Sequence, residues 1–324
     1  MASSLACPYN PAHSVAPGVV EATERMLGLG GTYRYASCAT CGALWLTDVP
    51  ADLAPFYAGD DYYSFEAAAD PGEQRLLALA MKPLLRSRRL ALAGGMSRWR
   101  GKVFPFAATW FAGQGITQSS RILDVGSGSG TTLARLRWLG FRDLSGIDPF
   151  LPSPEIRIGP VTIRRQALES VEEQYDVVLF NHSLEHVPDP VGALRAASAR
   201  LRPGGRVVVG VPLADSAAFE RYGTRWAQLD APRHLTVPTA AALDAAAAAA
   251  GLRVVSAYRD SHAFQFWGSE QYAHDITLHG PRSWLTDPAA SPFTPAQIEA
   301  WEAEARALNR AGRGDQGVFV FAAA

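Results

Sequence analysis

His182, Glu185 and His186 stand in the order H-x-x-E-H within "FNHSLEHVPDP", Phe180 to Pro190. Two imidazoles and a carboxylate at that spacing can hold zinc and activate its water, as in one class of metal-dependent hydrolases, if a continuous helix presents them on one face. The neighbouring residues deny them that helix. The apolar run Tyr175 to Asn181 reads as a buried strand immediately before, and Pro188 and Pro190 allow at most one turn afterwards. The group therefore marks a strand end followed by a tight turn. Asn181 and His182 are expected to face whatever binds at the C-terminal edge of that strand, while Glu185 and His186 pack and hydrogen-bond locally.

A second constellation says what binds there. In "RILDVGSGSGTTLARLRWLG", residues 121 to 140, Ile122, Leu123 and Val125 form a short buried strand. Gly126, Gly128 and Gly130 follow, and a helix starts near Thr131 with Leu133, Leu136 and Leu139 on one side and Gly140 as its stop. Strand, glycine turn and helix make a nucleotide-binding unit, because a backbone without Cβ atoms can approach a ligand while N–H groups at the helix start face it. The loop reads G-x-G-x-G, not the G-x-G-x-x-G of dinucleotide sites, and Asp124 precedes it. A carboxylate there repels a pyrophosphate and attracts an ammonium, which points to an amino-acid-bearing cofactor such as S-adenosylmethionine. Leu144 to Ile147 reads as the next strand, and Asp148 at its end can accept both ribose hydroxyls.

The following segments keep one rhythm: "PVGALRAASARL" as a helix, "RPGG" as a turn and "RVVVGVP" as another buried strand. From about Arg121 to the C-terminus the chain resembles the class I S-adenosylmethionine-dependent methyltransferases. "LDVGSGSG", "GID", "YDVVLFNHSLEHVPDP" and "LRPGGRVVVGVP" stand in that family's order and spacing. "AAGLRVVSAYRD" looks like its sixth strand and "GDQGVFVFAA" like its antiparallel seventh. The resemblance implies an α/β, Rossmann-like, doubly wound sheet of seven strands, six parallel and the seventh antiparallel. It also implies that S-adenosyl-L-methionine is held by Asp124, Gly126, Ser127, Gly128, Gly130, Asp148, Gln166 and Asn181. Some ubiquinone-pathway methyltransferases similar to this chain carry E-x-x-E-H here and hold a divalent ion that orients a catechol; this chain has His182 in place of the first glutamate.

Beyond the fifth strand, "W-x-x-L-D-x-P-R-H-L" (Trp226, Asp230, Pro232, Arg233, His234) resembles a subgroup active in glycan or natural-product pathways. It is similar to sugar C-methyltransferases in which a histidine sits over the substrate. His234 and His182 are the catalytic candidates on this side; His234 is either a general base or a histidine bonded to a backbone carbonyl beside Arg233. Ala245 to Ala250 reads as helix ended by Gly251, and the insertion 260–316, with a polar helix from about Pro295, borders the acceptor.

The subgroup also carries an N-terminal cysteine module, here residues 1–60. Cys7, Cys38 and Cys41, with Asn10 where a fourth cysteine would stand, could hold structural zinc together with His13, as a zinc-ribbon-like unit. The two strands of "TYRYASCATCGALWLT" could also stand on their aromatics alone. Tyr57, Tyr62 and Tyr63 resemble tyrosines that cover the cofactor or acceptor, and Tyr63 is a third catalytic candidate. Residues 61–118 form a basic helical lid or linker: between Gln74 and Ser120 lie eight basic residues and no acid. That stretch reads as a solvated helix face that could also meet a nucleotide-sugar phosphate or an anionic membrane surface. Residues 119–324 form the catalytic domain. A net charge of -1 over 324 residues and the lack of a recognition helix argue against nucleic acid. With no signal peptide and no apolar run of about 18 residues, the expected compartment is the cytoplasm, and the partner a small-molecule acceptor such as a sugar nucleotide or glycan.

Overall fold

The computed structural model describes residues 6–57, 72, 76, 79, 82, 83, 85 and 107–324. Tyr62, Tyr63 and, apart from Lys82, the basic residues from Arg75 to Lys102 lie outside the described residues, so the Tyr63 expectation and most of the lid segment 61–118 do too. Strands β1 (Val20–Thr23), β2 (Thr32–Ser37) and β3 (Leu44–Leu46) open the chain. After a short helical turn α1 (Ala107–Trp110) come β4 (Arg121–Val125), α2 (Thr131–Trp138), β5 (Asp143–Ile147), β6 (Glu155–Ile158), β7 (Val161–Arg164) and β8 (Tyr175–Asn181). The rest is α3 (Pro190–Ala199), β9 (Leu201–Pro212), α4 (Ala217–Tyr222), β10 (Thr236–Val237), α5 (Ala240–Ala249), β11 (Leu252–Arg259), α6 (Phe264–Ala273), α7 (Pro295–Arg310) and β12 (Gln316–Ala323).

The large sheet runs β11-β12-β9-β8-β4-β5-β7-β6. Its parallel strands are joined by crossovers, and β12 runs antiparallel between β9 and β11, as the resemblance implies. An eighth strand adds to the expected seven: β6 folds back on β7 as an antiparallel edge hairpin. The four residues Arg202 to Gly205, expected as a turn, are drawn into the start of β9, because Leu201 pairs with Tyr175 and the register shifts before Val177 meets Arg206.

Strand residues alternate between two faces, so one sheet seals two cores. Leu123, Val178, Phe180, Val207 and Val209 meet Leu194 of α3 and Leu243 and Ala246 of α5 on one side. Ile122, Val177, Leu179 and Val208 meet Leu133 and Leu136 of α2 on the other. This burial fixes the C-terminal strand edges, where β4, β5 and β8 end together. Asp189 caps α3 through the Gly192 N–H, and Thr294 caps α7 through that of Gln297.

A second sheet of four strands runs β1-β2-β3-β10. Its last strand is not N-terminal: Thr236 and Val237 pair with Trp45 and Leu44 of β3. The cysteine module and the segment after His234 therefore share one sheet. Cys7, Tyr9, Cys38 and Trp45 also belong to the core that contains α5. Among the described residues no helix is long and apolar enough to cross a membrane.

Candidate active site

The glycine loop turns over the ends of β4 and β5. Gly126 and Gly130 have φ of 71° and 88°, a region that only glycine enters readily. A Cβ on Gly126 would sit 2.6 Å from Cβ of Ser183, and one on Gly130 would collide with Ile163 and Ile158. The Gly126 and Ser127 N–H groups bond the Ile147 carbonyl at 2.9 and 3.1 Å, which ties the loop to β5. Asp148 closes the unit. Its carboxylate accepts from Gly128 N–H at 3.0 Å and from Phe150 N–H at 2.8 Å.

Asp124 lies beneath the loop with 1% exposure, and its Oδ2 has no hydrogen-bond partner. Burial, reinforced by the nearby Asp148 charge, pushes its carboxyl well above the usual range. An unpartnered buried carboxyl is costly, and a ligand ammonium would relieve it. At the same edge Asn181 donates to the Thr132 hydroxyl at 2.9 Å, in the first turn of α2, and the Ser127 hydroxyl leans on the Ile147 carbonyl at 3.4 Å. Gln166 takes a different course: its amide donates to the Ser170 carbonyl at 2.8 Å.

The histidines form the neighbouring cluster. His182 follows β8 with φ of 52°, its N–H on the Gly210 carbonyl at 2.9 Å and its Nδ1 3.5 Å from Oε1 of Glu185. Residues 184–186 make a single 3₁₀ turn, so the zinc-helix geometry is absent, as the prolines required. Glu185 is fully buried, and neither oxygen has a hydrogen bond. Glu185 and His186, expected to pack and hydrogen-bond locally, both converge on His234. His234 Nε2 lies 3.8 Å from Glu185 and 3.8 Å from Asp230, and the His186 and His234 rings meet edge to face at 4.9 Å.

Backbone carbonyls set the tautomers. His234 Nδ1 faces the Gln228 carbonyl at 2.9 Å and His186 Nδ1 the Arg233 carbonyl at 2.9 Å. A carbonyl only accepts, so each Nδ1 carries the proton and each Nε2 keeps a lone pair. His234 thus bonds a backbone carbonyl, and that bond leaves Nε2 open. Burial, opposed by Asp230 and aided by His186, lowers its pKa to about 4, below the ordinary value assumed from sequence. Burial also opposes the charged forms of His182 and Glu185, but their pairing outweighs it, raising the pKa of His182 and lowering that of Glu185. Tyr57 reaches in from the N-terminal side, its hydroxyl 3.1 Å from His186 Nδ1.

Two members of the sulfur cluster, Cys38 and Cys41, lie in the turn between β2 and β3. One ligand atom each from Cys7, His13, Cys38 and Cys41 falls within 4.8 Å of the others. Zinc bonds of about 2.3 Å to sulfur and about 2.0–2.1 Å to nitrogen imply tetrahedral edges of about 3.8 Å between sulfurs and about 3.6 Å from sulfur to nitrogen. The Cys7–Cys41 sulfur separation is 3.8 Å and the Cys38 Sγ–His13 Nδ1 separation 3.6 Å. Asn10 stands where a fourth cysteine was expected. Its side chain accepts from Ala12 N–H and its carbonyl from His13 N–H, both at 3.0 Å, and this turn brings His13 beside the three cysteines.

Residues 97–257 match the family model described as a methyltransferase domain. The chain is 35% identical over 101 residues to the ubiquinone biosynthesis O-methyltransferase of Aeromonas salmonicida, covering 28% of this chain and 42% of that protein. It is 37% identical over 110 residues to the protein of the same name from Bordetella avium, covering 29% and 43%. The chain thus spans less than half the length of these curated relatives. Among solved structures it is similar to an S-adenosylmethionine dependent methyltransferase from Mesorhizobium loti, with a TM-score of 0.39 and 17% identity over 63% of this chain and 90% of that one. The glycine loop, the two acids and the sheet order agree with the family match: this chain carries a methyltransferase domain of the class I S-adenosylmethionine-dependent family.

Proposed function

We propose that the protein transfers a methyl group from S-adenosylmethionine to a small-molecule acceptor, with His234 taking the acceptor's proton. The observation that carries this reading is a buried Asp124 whose Oδ2 is unpartnered beside the glycine loop, together with a His234 Nε2 that faces Glu185 in the turn after β8, the turn whose Ser183 packs against Gly126. The cofactor supplies an electrophilic methyl group on a sulfonium. Asp124 takes the ammonium, Asp148 the ribose hydroxyls, and Gly126, Gly128 and Gly130 let the backbone approach; Ser127, Gln166 and Asn181 line the rest. His182, paired with Glu185, flanks the acceptor. As an acceptor O–H or N–H attacks, its proton moves to His234 Nε2, while the Gln228 carbonyl keeps the ring oriented and Glu185 and Asp230 stabilise the imidazolium that forms. In the N-terminal module Cys7, His13, Cys38 and Cys41 hold structural zinc.

Phenols, catechols, amines, sugar nucleotides and glycans are the acceptor classes to try. Incubating the protein with methyl-labelled S-adenosylmethionine and one panel of these should transfer label to at least one class. Cofactor binding without transfer to any would favour a non-catalytic cofactor-binding adaptor. A second reading has its own support: the ligand atoms of Glu185, His186 and His234 lie within 4.8 Å of one another, and neither Glu185 oxygen has a hydrogen bond. A divalent cation there would make the acceptor hydroxyl more acidic and would replace His234 as the source of activation. Turnover in the same panel that requires added magnesium, manganese or zinc would select it.

A further inference from the structure

Two residues some 200 positions upstream hold the segment that carries His234. Arg233 is 1% exposed, and its guanidinium pairs with Asp230 and, at 2.9 Å, with Oε1 of Glu24. Glu24 is fixed in turn by the N–H groups of Leu27 and Leu29 at 2.8 and 2.7 Å. The next residue is pinned from another strand: the Tyr35 hydroxyl, on β2, donates to the His234 carbonyl at 2.9 Å. Two residues further on, β10 joins β3, and the Tyr9 hydroxyl donates to Thr236 at 3.0 Å. Asp230, at the start of this segment, has φ of 39°, which a non-glycine residue keeps only when its surroundings hold it.

We propose that Glu24 and Tyr35 are positioning residues for His234: the N-terminal module forms the back wall of the acceptor site and aims the imidazole at Glu185. The proposal rests on the reading of His234 as the base. Neither residue touches the acceptor. Glu24 and Asp230 both accept from Arg233 Nη2, and Asp230 also accepts from Nε, so the guanidinium cannot turn and the backbone between Asp230 and His234 is fixed. Tyr35 fixes the carbonyl of His234 itself, leaving the ring freedom only about its side-chain torsions, and the Gln228 carbonyl removes that.

Tyr35→Phe is the cleaner test, since it removes one hydroxyl and keeps a fully buried ring in place. Using the acceptor with the highest turnover in the labelled-methyl panel, the variant should lose about tenfold in kcat, with cofactor affinity unchanged and Tm nearly so. In a His234→Ala background the same change should cost nothing further. Glu24→Gln should behave alike if it folds. A readout that needs no acceptor is the hydrogen bond from His234 Nδ1–H to the Gln228 carbonyl: followed by NMR, its proton should exchange with solvent about tenfold faster in Tyr35→Phe, because a loosened ring holds that bond less of the time. An unchanged exchange rate, unchanged kcat, or an equal loss in the His234→Ala background would overturn the proposal. If instead His234→Ala alone leaves turnover intact, the base assignment fails, and the exchange rate still decides whether Tyr35 positions the ring.

Discussion

Replacing His234 by alanine should lower kcat by roughly 10² to 10⁴ while S-adenosylmethionine binds as before. The expected size follows from the role: a positioned base contributes in that range, and the site leaves no easy substitute. Glu185 is close but paired with His182, and the Nδ1 atoms of His186 and His234 are committed to carbonyls. Cofactor affinity is spared because Asp124, Asp148 and the glycine loop belong to β4 and β5, with no contact to His234 among those described above. The low pKa also gives a sign. A histidine neutral down to about pH 4 is ready to accept a proton throughout the neutral range, so the acid limb of kcat/KM should fall near or below that value, not near 6.5. Full turnover in His234→Ala, on the acceptor the wild type uses, would return this residue to a structural role and move attention to His182.

Cys38→Ser should release zinc and cost about 3 kcal/mol or more, or about 6 °C in Tm at the roughly 2 °C per kcal/mol of a chain this size. In isolated peptides a structural zinc contributes roughly 10–16 kcal/mol of folding free energy. Here part of the module is retained by packing, since Tyr9 and Trp45 share a core with α5 and the Thr239 hydroxyl donates to the Cys41 carbonyl at 2.6 Å. Elemental analysis should find close to one zinc per wild-type chain and none in the variant. A wild-type protein without metal and with the same Tm as Cys38→Ser would mean that the sulfurs are simply core residues.

The strand, loop and helix around Asp124 were legible because each local signal agreed: a short apolar run, three spaced glycines, then helical periodicity. The antiparallel β12 was legible through its resemblance to a known last strand. The β6–β7 hairpin was not anticipated, although Gly159 and Pro160 between the alternating runs "EIRI" and "VTIR" are a turn signal that could have found it. β10 could not be read at all. Two residues before a proline carry no periodicity, and they form a strand only because β3 offers an open edge. For the same reason Glu24 and Tyr35 were missed as parts of the histidine site: Tyr35 and His234 are 199 residues apart, and nothing in either neighbourhood announces the other. The depressed pKa of His234 comes from burial, which a sequence pattern does not price. Gln166 shows the reverse case, a residue placed by resemblance whose amide is engaged by Ser170.

The central claim is that the loop over Asp124 binds S-adenosylmethionine, and calorimetry at several pH values tests it most directly. Wild-type protein should bind the cofactor at micromolar affinity and show no binding of NAD. Gly128→Val or Asp148→Ala should weaken binding by about 1–3 kcal/mol, roughly 5- to 150-fold. Burial, with the nearby Asp148 charge, raises the Asp124 pKa in the free protein, and an ammonium beside it favours the ionised form. Affinity should therefore rise with pH between the usual carboxylate range and the raised value, with proton release on binding, and Asp124→Asn should abolish both. Binding of NAD with none of S-adenosylmethionine would contradict the account.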